Sequence, residues 1–463
     1  MITNTIKINF ILIVSGILVS LLFLDHLFFL IPIVLILFLS LVESKSTITV
    51  LLFASLITLS SGLGQNLRLL IQICTIVILL IIFLKLYGLQ ITKFPKLPSQ
   101  IINLVAFIFL SMIFSLVFTK YFELGFQQLI RSVLFFFIVY LFYSLLNNYN
   151  DIKYFIYALF FSAIIYFLML LYVITKADFD FINLNQNILS EEGISFVHRN
   201  VMGGFFSICI AFIITFISSP NTYKRYKKYL IIFVFFLILS LILTNSRGAI
   251  FSLVCSSIYV LYKQNRKILR YLLYIILFII PVILFDPILD TINMFFRLEQ
   301  VLTGRDYILE TIYNIILNNP IIGAGPAGTK FEMYNNMPYL LGSPEELILS
   351  RHINQIEFGH AHNFYLFLYT DLGIPGLIAS FLIPIVFFNL SNRLINELKN
   401  TKSSIYSITL GIQASGIALF VRGIFEWSGI FSYGTITYDL PFWWIFSLLV
   451  FLYQKIIINK ISL

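Results

Sequence analysis

Apolar runs of near membrane-spanning length recur along almost the whole chain, and this recurrence leaves one class of fold open. They fall at roughly 8–24, 27–42, 48–63, 69–86, 101–118, 127–146, 152–174, 201–218, 229–244, 249–262, 271–285, 364–391, 405–425 and 440–458. A hydrocarbon core ~30 Å thick takes about 20 apolar residues to cross as a helix. It offers no water to unpaired backbone groups, so every N–H and C=O must be satisfied within the protein. Charged residues make up only 11% of the 463, under half of the ~25% usual in soluble domains. The expected fold is an all-α polytopic integral membrane protein, with residues 1–463 forming a single transmembrane domain. It would have about 14 spans, or 12 if two short runs are re-entrant.

The net charge of +9 does not point to nucleic acid, because the basic residues form no face or stripe. They gather at alternate loops, as the positive-inside rule requires. Lys7, Lys45, Lys85, Lys93, Lys96, Lys153, the Lys224-Arg225-Tyr-Lys227-Lys228 cluster, Lys263, Arg266, Lys267, Arg270, Arg393, Lys399, Lys402, Lys455 and Lys460 share one side. They are 19 of the 30 basic residues. This arrangement makes both termini cytoplasmic and residues 286–363 an extracytoplasmic loop. Lys7 precedes an apolar run without a small-residue cleavage site, so the first run reads as a retained helix. Cys74, Cys209 and Cys255 all lie in apolar runs, which suggests neither a disulfide framework nor a cysteine metal site.

Two outer segments are polar. One is Lys176–Arg199, carrying Asp178, Asp180, Glu191 and Glu192. The other is the long loop, where Thr303-Gly-Arg-Asp306 has the form of a capping box. Behind it, Tyr307, Ile308, Ile312, Ile315 and Ile316 recur at helical spacing, and Asn318-Asn319-Pro320 stops the run. The pattern predicts an amphipathic helix on the outer membrane face or packed on the bundle.

Ionisable groups are few, so their clustering marks the first candidates for a site. Arg247 sits in Thr244-Asn-Ser-Arg247-Gly248, after a run of 16 residues from Tyr229 that spans only ~24 Å at ~1.5 Å per residue. That length leaves Arg247 recessed, either as a snorkelling residue at a helix end or as an anion-binding group facing a cavity. Arg199 stands at the outer entry of another span, and Arg305 stands at the start of the amphipathic helix, where amide groups favour an anion. Three outer arginines form a plausible clamp for a diphosphate, whose oxygens match the planar guanidinium fork. His360-Ala-His362 could ligate zinc, but further ligands at recognisable spacing are missing. His362 alone suits a general base for a hydroxyl. Gly323-Ala-Gly325-Pro-Ala-Gly328 follows a helix and does not lead a strand into one, so it reads as a tight turn and not a dinucleotide fingerprint. Arg422 and Glu426, one turn apart, are expected to satisfy each other. Arg131 is an intramembrane charge facing the same cavity or capping its span.

Thr-Asn-Ser-Arg247-Gly resembles the bacterial O-antigen polymerase and O-antigen ligase superfamily. So do Gly304-Arg-Asp with Asn-Pro320-Ile-Ile-Gly-Ala-Gly325, and His362-Asn followed by Gly373-x-x-Gly376. The likeness covers roughly residues 195–390. It implies a metal-independent glycosyltransferase, without cofactor, in the bacterial cytoplasmic (inner) membrane. The donor would be an undecaprenyl-diphosphate-linked glycan, and the partners a glycan acceptor, membrane lipids and a chain-length regulator protein. By that resemblance Arg199, Arg247 and Arg305 would neutralise the diphosphate, His362 would act on the acceptor hydroxyl and Asn363 would contact substrate. Arg351, outside the resemblance, would replace or supplement one of these arginines as a substrate contact. Arg351 lies in a polar insertion, residues 329–359, that departs from the family pattern. Inversion at the anomeric carbon is expected, with Glu191, Glu192 and Glu332 leaving a covalent nucleophile open. Richness in Phe and Tyr favours a polymerase of O-antigen or capsular repeat units. The alternatives are a ligase that transfers the glycan to lipid A-core, or a transporter of lipid-linked glycans, which would spread intramembrane charge through both halves.

Overall fold

The computed structural model describes residues 45–59, 65–90, 93–176, 199–219, 224–270, 305–336, 342–344, 347, 360–399, 401 and 403–459. The runs expected at 8–24, 27–42 and 271–285 lie outside these residues, as do Thr303, Arg351, Glu191 and Glu192. The principal helices are α1 (Lys45–Ala54), α2 (Gln65–Tyr87), α3 (Ser99–Phe118), α4 (Phe122–Ser144), α5 (Tyr149–Lys176), α6 (Arg199–Ser218) and α7 (Lys224–Leu243). They continue with α8 (Arg247–Gln264), α9 (Arg305–Asn318), α10 (Thr329–Asn335), α11 (Phe364–Leu398), α12 (Ser404–Arg422) and α13 (Ile436–Tyr453). Among the described residues there is no strand, and eight helices, α3 to α7 and α11 to α13, are long and apolar enough to cross a membrane. The protein is thus an all-α polytopic membrane protein, and its helices follow the apolar runs closely.

The chain divides into two compact units, one of residues 1–96 and 136–198, the other of residues 97–135 and 199–463. In the first, α1 packs on α5, and Tyr166 donates its hydroxyl to the Ile57 carbonyl at 2.9 Å. The Tyr87 hydroxyl donates to the Ser144 carbonyl at 2.6 Å and contacts the Asn147 carboxamide oxygen at 2.8 Å. In the second, α6 is central and packs against α7, α8 and α12, while α11 lies between α3 and α12. Small residues explain why α6 takes this position. Lipid tails give apolar side chains little reason to leave them, so close helix contact depends on small residues. Gly203 lies against Ser246 and Ala249, Gly204 against Arg422, and on α12 Gly411 lies against Phe212. By contrast α7 turns Ile231, Ile232, Phe235 and Leu239 outward, as a lipid-facing helix should.

Hydrogen bonds in the second unit define two ends. At one, Thr119 after α3 donates to the Ala324 carbonyl, Asn200 at the start of α6 meets Glu426 after α12, and Gly248 lies against Phe425. At the other, Ser218 meets Gln264, Ser407 meets Ser219 and Arg393 donates to Tyr453. These pairings are those of helices alternating in direction, as the charge pattern predicted for this part of the chain. The amphipathic helix forms as α9 and packs onto α10 and α11. It buries Ile308, Thr311, Ile312 and Ile315 and ends where Asn319-Pro320 begins.

Candidate functional site

The site end is built around a break in α11. Gly373, at φ 67° and ψ −154°, occupies a region open essentially to glycine alone, and Pro375 two residues later has no N–H to give. The carbonyls of Thr370 and Asp371 therefore need donors from outside the helix. The glycine-rich turn supplies them: Ala324 N–H donates to Thr370 O and Gly325 N–H to Asp371 O, both at 2.8 Å. Ser115 Oγ also donates to Asp371 O, at 2.9 Å. A Cβ on Gly323 would stand 2.5 Å from the Asp371 carbonyl, and one on Gly373 2.1 Å from Ile321 O. The turn is thus a docking element for the broken helix.

The Asp371 carboxylate completes this joint. It accepts from Ala327 N–H and Thr329 N–H at 3.0 Å each, from the Thr329 hydroxyl, and from the Tyr433 hydroxyl at 2.8 Å. Burial, reinforced by the Asp371 charge, raises the Tyr433 phenol well above its ordinary value, so it stays a donor at any working pH. Sequence reasoning did not find Asp371 or Tyr433. A lone acidic residue in an apolar run was the available signal.

A second cluster lies at the first turn of α11. Asn363 caps the helix: its side-chain oxygen accepts from Tyr365 N–H at 2.9 Å and Leu366 N–H at 3.0 Å, and its amide donates to Ile424 O at 3.0 Å. Phe364 N–H donates to Gly423 O at 2.7 Å. Clamped between these bonds, His362 takes φ 46°. Non-glycine residues seldom adopt this region, and where they do the surroundings must enforce it. The other non-glycine residues with positive φ among the described ones are Asn245, Ala327 and Tyr433. All four flank this same end.

His362 Nδ1 lies 3.8 Å from Glu426 Oε2. The Glu426 Oε1 atom accepts from Asn200 Nδ2 at 2.7 Å. Arg422, 2% exposed, donates to Ser428 O and to Asn200 O, both at 2.9 Å, and interacts with the Glu426 charge. The expected Arg422–Glu426 couple is therefore wider than a mutual pair: Asn200 binds both members, and Glu426 reaches His362. His360 has a different environment. Its ring stacks on Trp427 with centroids 3.7 Å apart and meets the Phe367 edge at 5.4 Å. Desolvation there, with smaller contributions from His362 and Lys330, lowers its pKa to about 3. A neutral, stacked imidazole is a packing group.

The arginines singled out in the sequence all begin helices: Arg199 opens α6, Arg247 opens α8 and Arg305 opens α9. A cation at a helix N-terminus opposes the macrodipole, so helix stability does not explain three of them. Arg199 adjoins Asn200, and Arg247 precedes Gly248, whose Cα faces Phe425 next to Glu426. Arg199 and Arg247 thus share one neighbourhood with His362. Glu332 is occupied, accepting from Tyr121 OH at 3.1 Å and Asn336 Nδ2 at 3.0 Å. Arg131 donates to Thr435 and Gln128, which fixes α4 to the loop before α13.

A multi-pass helical membrane protein with a cluster of buried polar groups at one end of its second unit is the class that fold and site define. Residues 231–381 match the O-antigen ligase family. Over that region, about a third of the chain, the match supports a likeness to the O-antigen polymerase and ligase superfamily. No curated protein matches the chain.

Proposed function

We propose that the protein is a glycosyltransferase at the outer face of the bacterial cytoplasmic membrane. Its donor is a glycan on undecaprenyl diphosphate, and it polymerises repeat units of O-antigen or capsule. What supports this reading is that the helices opened by Arg199 and Arg247 begin at the end of the second unit where His362 faces Glu426. Orientation follows from charge: Lys227, Lys228, Lys263, Arg266, Lys267 and Arg393 lie toward the opposite end, which the positive-inside rule makes cytoplasmic.

In this reading Arg199, Arg247 and Arg305 bind the diphosphate and neutralise the charge it gains as it leaves. Fixed cationic donors act most strongly in such a low-dielectric site. His362 takes the proton from an acceptor hydroxyl as its oxygen bonds to the anomeric carbon, and the bond to the diphosphate breaks with its electron pair on the phosphate. Single displacement inverts the anomeric centre, and Glu332, already holding two donors, favours that course over a covalent intermediate. The chemistry takes no cofactor from the protein. Asn363 acts by holding the His362 backbone.

Reconstitution with lipid-linked repeat units, with and without lipid A-core, tests this. Ladders of product without lipid A-core establish polymerisation, and one transfer dependent on it establishes a ligase. Full turnover by Arg305→Ala or His362→Ala overturns the assigned roles.

A further inference from the structure

We infer that Glu426 is a positioning residue that orients His362 and stabilises the imidazolium formed during transfer. The inference rests on the glycosyltransferase reading and adds a residue to it. Three observations support it. Glu426 is 5% exposed, so its charge acts at short range with little screening by water. Its carboxylate is aimed: Asn200 Nδ2 holds Oε1 at 2.7 Å, and Oε2 stands 3.8 Å from His362 Nδ1. The imidazole is also held, because the Asn363 cap and the Phe364–Gly423 bond fix the left-handed backbone beneath it.

The geometry assigns the two ring nitrogens. A carboxylate on the Nδ1 edge favours the tautomer with hydrogen on Nδ1, which makes Nε2 the proton acceptor. At 3.8 Å the contact has the length of an ion pair and exceeds that of a hydrogen bond. Its effect is therefore greatest when the ring is charged. That state arises as the acceptor oxygen joins the anomeric carbon and its proton passes to Nε2, while the diphosphate departs with the electron pair of the broken bond. Arg422, held by Asn200 O and Ser428 O, offsets the buried negative charge between turnovers. Without a cation nearby, a buried carboxylate would be costly.

The test is a double-mutant cycle in reconstituted membranes, using Glu426→Gln, His362→Gln and the pair. Alone, Glu426→Gln should lower kcat on the order of 10-fold to 100-fold, with the donor KM within about 2-fold of the wild-type value. On the His362→Gln background it should cost almost nothing further, because interacting residues are not additive. Equal losses on both backgrounds would make Glu426 merely structural and overturn the inference. Unchanged turnover in His362→Gln alone would instead overturn the underlying reading. Should Glu426→Gln fail to fold, Asn200→Ala replaces it in the cycle. This variant frees one carboxylate oxygen, and a loss of about 5-fold that vanishes without His362 supports the proposal. A loss that persists refutes it.

Discussion

Two buried carboxylates at the same end of the second unit live in different surroundings. Asp371 is gripped by two backbone amides, a threonine hydroxyl and a tyrosine hydroxyl, which come from two other parts of the chain. Glu426 is steadied by one asparagine amide and faces an imidazole at ion-pair distance. The first arrangement joins three segments and leaves its charge directed inward at donors that do not titrate near neutrality. The second directs charge at a group able to gain a proton. Buried acids in membranes are usually suspected of function. This pair shows that the partner's chemistry, not burial, separates a joint from a working residue.

The largest effect should come from breaking the joint. Asp371→Ala leaves Ala327 N–H, Thr329 N–H and two hydroxyls without their acceptor. At ~1–3 kcal/mol for each buried unsatisfied group, the loss is about 3 kcal/mol or more. Thermal unfolding in detergent should show a midpoint lower by on the order of 10 °C, and wild-type stability would dismiss Asp371 as an organiser. Gly373→Ala comes next. Its new methyl would meet Ile321 O, and its φ of 67° is strained for alanine. A destabilisation of about 2 kcal/mol or more is expected from strain and clash together, read from the same melt.

Much of this architecture was legible in the sequence because it depends on local quantities. Run length fixed α3 to α7 and α11 to α13, and isoleucine spacing fixed α9. Asn319-Pro320 marked its end. Arg247 was singled out by its depth and His362 by its chemistry, and only the family resemblance placed them in one site. What escaped were relations across long separations. Asp371 with Ala327 and Tyr433 depends on a helix break whose glycine and proline were visible, but whose unpaired carbonyls had no visible partner. Likewise Arg422 and Glu426 sit one turn apart and suggested each other, whereas Asn200, more than 200 positions away, joins them.

Smaller changes sharpen the contrast. Gly204→Ala would bring a methyl within 2.6 Å of Arg422 Nε, which has no hydrogen-bond partner among the described residues. Because the guanidinium is confined by Ser428 and Asn200, it must shift and disturb both. A loss of about 1–2 kcal/mol is expected from overpacking. Transfer activity should fall with it. An equal melt with lower kcat would point to the Arg422–Glu426–His362 route, and unchanged kcat would detach Arg422 from the site.

The smallest effect concerns His360, the other histidine of the His360-Ala-His362 pair. Its folded-state pKa is depressed to about 3 by desolvation against Trp427 and Phe367, while an unfolded histidine titrates near 6.5. Above pH 6.5 both states are neutral and the group contributes no slope. As pH falls below 6.5, the unfolded chain binds a proton that the folded chain refuses, so stability drops until the folded pKa is reached. After solvent screening the loss at pH 5 should be about 1 kcal/mol. His360→Phe keeps the stacking and removes the proton site. Comparing melts at pH 7.5 and pH 5, the wild type should lose more than the variant, since all carboxylates are common to both. Parallel losses would mean that His360 takes its proton in the folded state, and would return it to the candidates for chemistry beside His362.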